Sequence, residues 1–128
     1  MTTQTNSMVG AYLAKGTIGN VGLPGAPIVH FALVVVPGQH KVGGCVHITQ
    51  AVEHGNYSGD VTGKIYATGL GKVTQVVTLS GTIHPDNSSA LYVLSFEAHL
   101  AIDGAWHGTG GFDYGNVHIE NVPVISEK

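Results

Sequence analysis

Between Val73 and Asp113 apolar and polar residues alternate with a period of two, the pattern of strands that have one dry face and one wet face. Val73, Gln75, Val77, Leu79, Gly81 and Ile83 share one parity, opposite Thr74, Val76, Thr78, Ser80, Thr82 and His84. The turn formers Pro85-Asp86-Asn87-Ser88-Ser89 predict a reversal. Beyond it Ala90, Tyr92, Leu94, Phe96, Ala98 and Leu100 form the dry face of a strand running to Ala101. Asp103-Gly104 predicts the next reversal, so the stretch reads as a β-meander.

Two registers compete at Asp103-Gly104. A two-residue loop pairs Ala101 with Trp106, whereas a three-residue loop, Ile102-Asp103-Gly104, closed by a G1 bulge at Gly104, pairs Ala101 with Ala105. The second is preferred. It sets Leu100 opposite Trp106 and Leu94 opposite Phe112 on the buried face, and His99 opposite His107 and Glu97 opposite Thr109 on the other. A slip of one residue would turn a strand inside out, so burial should enforce the choice.

Upstream, Val9, Ala11 and Leu13 alternate with Gly10, Tyr12 and Ala14 as a first strand, after a polar tail from Met1 to Ser7. Glycine then recurs at every third position from Gly16 to Gly25, the period of a collagen strand, but four triplets are too few for a triple helix and a compact surface loop is expected. Ile28 to Val36 is almost continuously apolar, which suits a strand covered on both faces and lying mid-sheet or in an oligomer interface. Pro37 to Lys41 makes a hairpin with a strand from Val42 to Val52, whose inward residues are Val42, Gly44, Val46 and Ile48. Glu53 to Asp60 reads as a polar loop, Val61 to Thr68 as a short strand, and Tyr114-Gly115-Asn116 as a reversal into Val117 to Val122. The expected architecture is all-β: an antiparallel β-sandwich of about eight strands, with an open or closed β-barrel as the alternative. The expected layout is a tail over 1–8, one β-domain over 9–125 and a second tail over 126–128.

The run Lys15-Gly-Thr-Ile-Gly-Asn-Val-Gly-Leu-Pro-Gly-Ala-Pro27, the apolar strand after it and Val46-His-Ile-Thr-Gln-Ala-Val52 resemble the N-terminal signature of a small bacterial domain family of unknown function. The resemblance covers roughly the first half of the chain. It implies a bacterial, all-β domain and carries over no catalytic residue.

Composition narrows the partners. With 128 residues, five Lys or Arg and a net charge of -3, the chain lacks the clustered cations that nucleic acid or an anionic membrane surface requires. Charged residues are only 10%, which leaves weakly polar surface of the kind found in subunit interfaces, so a homo-oligomer is expected. The single cysteine, Cys45, excludes an internal disulfide. Neither a Sec-type signal nor a window of membrane-spanning length is visible, and a cytoplasmic location is the expectation.

Eight histidines supply the candidate chemistry. In the preferred register Glu97, His99 and His107 form a cluster that could hold Zn²⁺, set against the plainer reading of an exposed polar face. His47 with Thr49, and His118 with Glu120, extend a stripe that could titrate near neutral pH and control assembly. Trp106 beside Gly108, Gly110 and Gly111 offers a shelf for a sugar ring, with Asn56, Tyr57, Asp103, Asp113 and Asn116 as hydrogen-bonding partners; the same register would bury it. Cys45 lacks a neighbour that would lower its pKa, Ser58-Gly59 lacks the context of a nucleophile elbow, and Gly69-Leu70-Gly71 opens no helix. The reading is a non-catalytic, self-associating binding or structural module without a cofactor. Its alternatives are a carbohydrate-binding protein and, third, a metal-assisted enzyme.

Overall fold

The computed structural model describes residues 10–52, 55–69, 71–86 and 92–127. Among the described residues eight antiparallel strands follow one another around a closed barrel: β1 Tyr12–Ile18, β2 Ile28–Val36, β3 Lys41–Thr49, β4 Tyr57–Ala67, β5 Gln75–Pro85, β6 Leu94–Ile102, β7 Gly108–Tyr114 and β8 Val117–Ser126. Each strand pairs with its chain neighbour, and β8 returns to β1 with Gly16 opposite Ser126 and Ile18 opposite Val124. The all-β expectation is met in its barrel form, not as a sandwich. Gly16 makes the seam possible: a Cβ there would lie 2.3 Å from the Ile125 carbonyl oxygen and 2.8 Å from Phe31 Cζ. Only a residue without one lets the last strand approach.

Alternation decides what points inward. Val77, Leu79 and Ile83 of β5 meet Phe96, Ala98 and Leu100 of β6 in a core that also holds Phe31, Leu33, Ile48, Phe112 and Tyr114. An eight-stranded barrel has an interior just wide enough for side chains to fill, which puts binding surfaces on the outside or at the rims. Outward side chains are mostly polar, the reverse of the apolar-out, polar-in pattern of a membrane-spanning barrel. Among the described residues no helix is long and apolar enough to cross a membrane.

Four local expectations change. β2 is covered on its inner face alone: Val29, Phe31, Leu33 and Val35 are buried while Val34 is 49% exposed, and the strand is protected by lying between β1 and β3. Of the polar stretch Glu53 to Asp60, Tyr57–Asp60 belong to β4; Gly59 sits at an inward position and hides the alternation from a hydropathy reading. β8 runs on to Ser126. The register of β6 with β7 is neither of the two expected, because Ile102 pairs with Gly108 and Ala101 with Thr109. Residues 103–107 therefore form a five-residue loop, in which the Asp103 carboxylate accepts hydrogen bonds from the backbone N–H of Ala105 (2.8 Å) and of His107 (3.0 Å). Trp106 takes φ 63° there and turns its indole into the barrel mouth, 5.7 Å from the Phe31 ring.

The expectations for Met1 to Val9, Glu53 and His54, Leu70, the turn residues Asn87 to Ser89, Ala90, Leu91 and Lys128 fall outside the described residues.

Candidate functional site

Register converts the outer surface into rows. Lys41, Lys64, Thr78, His99 and Gly111 succeed one another across β3 to β7, and Gly43, Thr62, Ser80, Glu97 and Asp113 form the next row. These rows enclose a groove of about 1060 Å³. Its floor is made of small residues, Gly43, Thr62, Thr78 and Ser80. One wall carries Lys41 and Lys64, with Val34, Val36, His40 and Tyr66 around them; the His40 ring stacks on Tyr66 at 5.1 Å. The other carries Glu97, His99 and Asp113.

Both walls place like charges directly opposite each other on adjacent strands, Lys41 beside Lys64 and Glu97 beside Asp113. Such pairs are destabilising in an isolated sheet. Among the described residues neither lysine has a carboxylate partner.

The acidic wall continues onto β8. His118 Nδ1 hydrogen-bonds the Asp113 carboxylate, and its Nε2 lies 3.3 Å from Glu120 Oε1. His99 Nε2 lies 3.7 Å from Glu120 Oε2. Gly111 allows that reach across β7, since a Cβ there would stand 3.0 Å from His99 Cε1. The hydrogen bond to Asp113 is the main cause that raises the His118 pKa above 6.5; the charges of Asp113 and Glu120 add to it, against a small opposing effect of desolvation.

A second polar cluster lies on the outer surface nearer the other rim. His47 Nε2 is 2.9 Å from Asp86 Oδ2, and Ser58 Oγ donates to Asp86 Oδ1 at 2.7 Å. Desolvation alone would raise the Asp86 pKa, but the hydrogen bonds from Ser58 and His47, with the charges of His47 and His84, hold it below the usual carboxylate value. The carboxylate stands between serine and imidazole. Its two hydrogen bonds tie the segment after β5 to β3 and β4.

A family model described as Domain of unknown function (DUF1842) matches residues 9–118. The chain belongs to the DUF1842 family. Comparison with curated proteins gives no match. The family match runs through β7 into β8, so both walls of the groove lie inside the DUF1842 domain.

The candidate residues are distributed differently from the expectation. In the DUF1842 barrel His99 faces Gly111, Glu97 faces Asp113, and His107 sits in the 103–107 loop, so the proposed trio Glu97, His99 and His107 is not assembled. Among the described residues no group of three or more His, Cys, Asp or Glu side chains stands at metal-binding spacing. Trp106 is 4% exposed and its Nε1 donates to the Tyr12 hydroxyl at 3.0 Å, which leaves no free indole face for a sugar. Buried it is, as the sequence suggested, but against Phe31 and from a loop. Tyr57 packs against Tyr114 and shares a hydrogen bond with the Tyr92 hydroxyl, which with burial and the neighbouring tyrosines pushes its pKa up to about 12. Asn56 Oδ1 accepts from the Gln50 backbone N–H, and Asn116 lies exposed in the β7–β8 turn. Up-and-down topology puts Asn56, Tyr57 and Asn116 at one rim and Trp106 at the other, with Asp113 on the groove wall. These five residues do not converge.

Sequence reasoning missed Lys41, Lys64, His40 and Tyr66. The alternation Lys41-Val42 and Lys64-Ile65 marks both lysines as outward, but only the β3–β4 register makes them neighbours.

Proposed function

We propose that this DUF1842 domain is a non-catalytic, self-associating binding or structural module that works through the outside of its barrel. One observation carries the reading: an apolar strip on an outward sheet face. Leu13, 63% exposed, and Val34, 49% exposed, stand directly opposite each other on β1 and β2, and Val36 follows Val34 on the same outward face of β2. Apolar residues clustered outward on paired strands, on a chain so poor in charge, are what a protein–protein contact covers. The filled interior supports the same reading, because it directs partners to the exterior. The carbohydrate alternative loses its stacking surface with Trp106 inside the barrel mouth.

Light scattering at micromolar concentration and low salt tests the proposal. A mass above monomer is expected; monomer mass throughout would remove self-association from the reading.

A further inference from the structure

The two charged walls of the groove are each other's complement. Lys41 and Lys64 lie on β3 and β4, centred one and a half strand spacings to one side of β5. Glu97 and Asp113 lie on β6 and β7, centred one and a half spacings to the other side, so each pair is displaced by roughly 7 Å from β5 at the usual strand separation. The two pairs also stand one row apart, about 7 Å along the strands, so the line midway between them crosses β5 obliquely between Thr78 and Ser80, and a surface with opposite charges at equal distances from such a line is self-complementary under rotation by half a turn about it. On β5 itself the outward residues at the groove are Thr78 and Ser80, small enough to let a second surface come close.

We propose that two copies of the chain pair face to face across this groove, about a two-fold axis that crosses β5 obliquely between Thr78 and Ser80, with Lys41 and Lys64 of each copy on Glu97 and Asp113 of the other. The inference rests on the self-association proposed above and names its surface and symmetry. It accounts for what the single chain leaves unexplained: like charges set side by side twice, at a cost within the sheet, with no carboxylate on either lysine among the described residues and only His118 against Asp113. In the pair of copies both are neutralised. Val34 and Val36, at the basic end of the groove, join it to the apolar strip on β1 and β2 and so extend the contact with uncharged surface. Charge complementarity of this kind fixes register and rejects misaligned copies, because a shifted copy would set lysine against lysine.

Charge reversal in the full chain tests it. The variants Lys41→Glu/Lys64→Glu and Glu97→Lys/Asp113→Lys should each run at monomer mass where the unaltered chain is dimeric. The fourfold variant, and an equimolar mixture of the two double variants, should recover dimer mass, a result that misfolded chains cannot give. Double variants that keep dimer mass, or failure of both the fourfold variant and the mixture to recover it, would overturn the interface while leaving self-association standing. Monomer mass for the unaltered chain overturns both.

Discussion

Phe96 and Leu94 stand on the same face of β6, yet the barrel treats them differently. Phe96 is fully buried, whereas Leu94 sits at the rim, partly buried against the core. Removing a buried aromatic side chain costs its transfer free energy and leaves a cavity, so Phe96→Ala is expected to destabilise by about 3 to 5 kcal/mol. Leu94→Ala should cost less than the ~2 to 5 kcal/mol usual for a core aliphatic, because its pocket opens to solvent and can collapse. Urea unfolding of both variants decides; a larger loss at Leu94 than at Phe96 would mean that the strand is placed wrongly along the barrel axis. Gly16→Ala inserts a Cβ into the seam within 2.3 Å of the Ile125 carbonyl oxygen. A loss of roughly 1 to 3 kcal/mol, the range for overpacking, is expected, with amide exchange increased first in β8.

At the scale of the element, alternation was legible and register was not. The parity of Val77, Leu79, Ile83, Phe96 and Leu100 in the sequence matches their burial, because a strand covered on one face has to alternate. The β6–β7 connection defeated the same logic. Trp106 looks like a strand residue by hydropathy, but it is buried from a loop, where the Asp103 carboxylate organises the backbone and φ 63° aims the indole inward. Nothing in a period-two pattern distinguishes these cases. The backbone N–H of His107 is the largest cause that lowers the Asp103 pKa; Ala105 adds to it and slight desolvation opposes it. A depressed pKa means that this contribution to stability is present above 3.8 and is lost as pH falls through the folded-state value. Asp103→Ala should therefore loosen the loop. Because Trp106 is the sole tryptophan, the expected readout is a red shift of its emission together with a lower melting temperature; unchanged emission would mean that Phe31 and Tyr12 alone hold the indole.

Closure and charge arrangement belong to the whole molecule. A sandwich and a barrel share the same strands and the same alternation, and differ here in whether Ser126 finds Gly16, a pairing between the ends of the chain that no local pattern encodes. The groove walls were illegible for the same reason. Glu97, His99 and Asp113 were singled out for other chemistry, and their actual neighbours depend on the loop length at Asp103 and on the bulge that shifts β8 against β7 between Gly110 and Phe112.

That arrangement also sets a pH dependence in which fold and assembly respond oppositely. His118 has a pKa raised above its ordinary 6.5, so its protonated form is favoured by folding. The stability it contributes is complete below 6.5 and disappears as pH rises through the raised value. The same proton places a positive charge beside Asp113 of β7 and Glu120 of β8, on the wall that also carries Glu97 and His99 of β6, and so weakens the wall proposed to receive the lysines of a second copy. Between about pH 8.5 and about pH 5.5, chains held at monomer mass by Lys41→Glu/Lys64→Glu should gain thermal stability from His118 relative to the same chains carrying His118→Gln. Over the same range the otherwise unaltered chain should dissociate more readily than the His118→Gln chain, whose acidic wall gains no charge at position 118. Melting curves and light scattering on the same samples separate the two effects. An equal difference in melting temperature at both pH values would show that His118 does not carry the linkage.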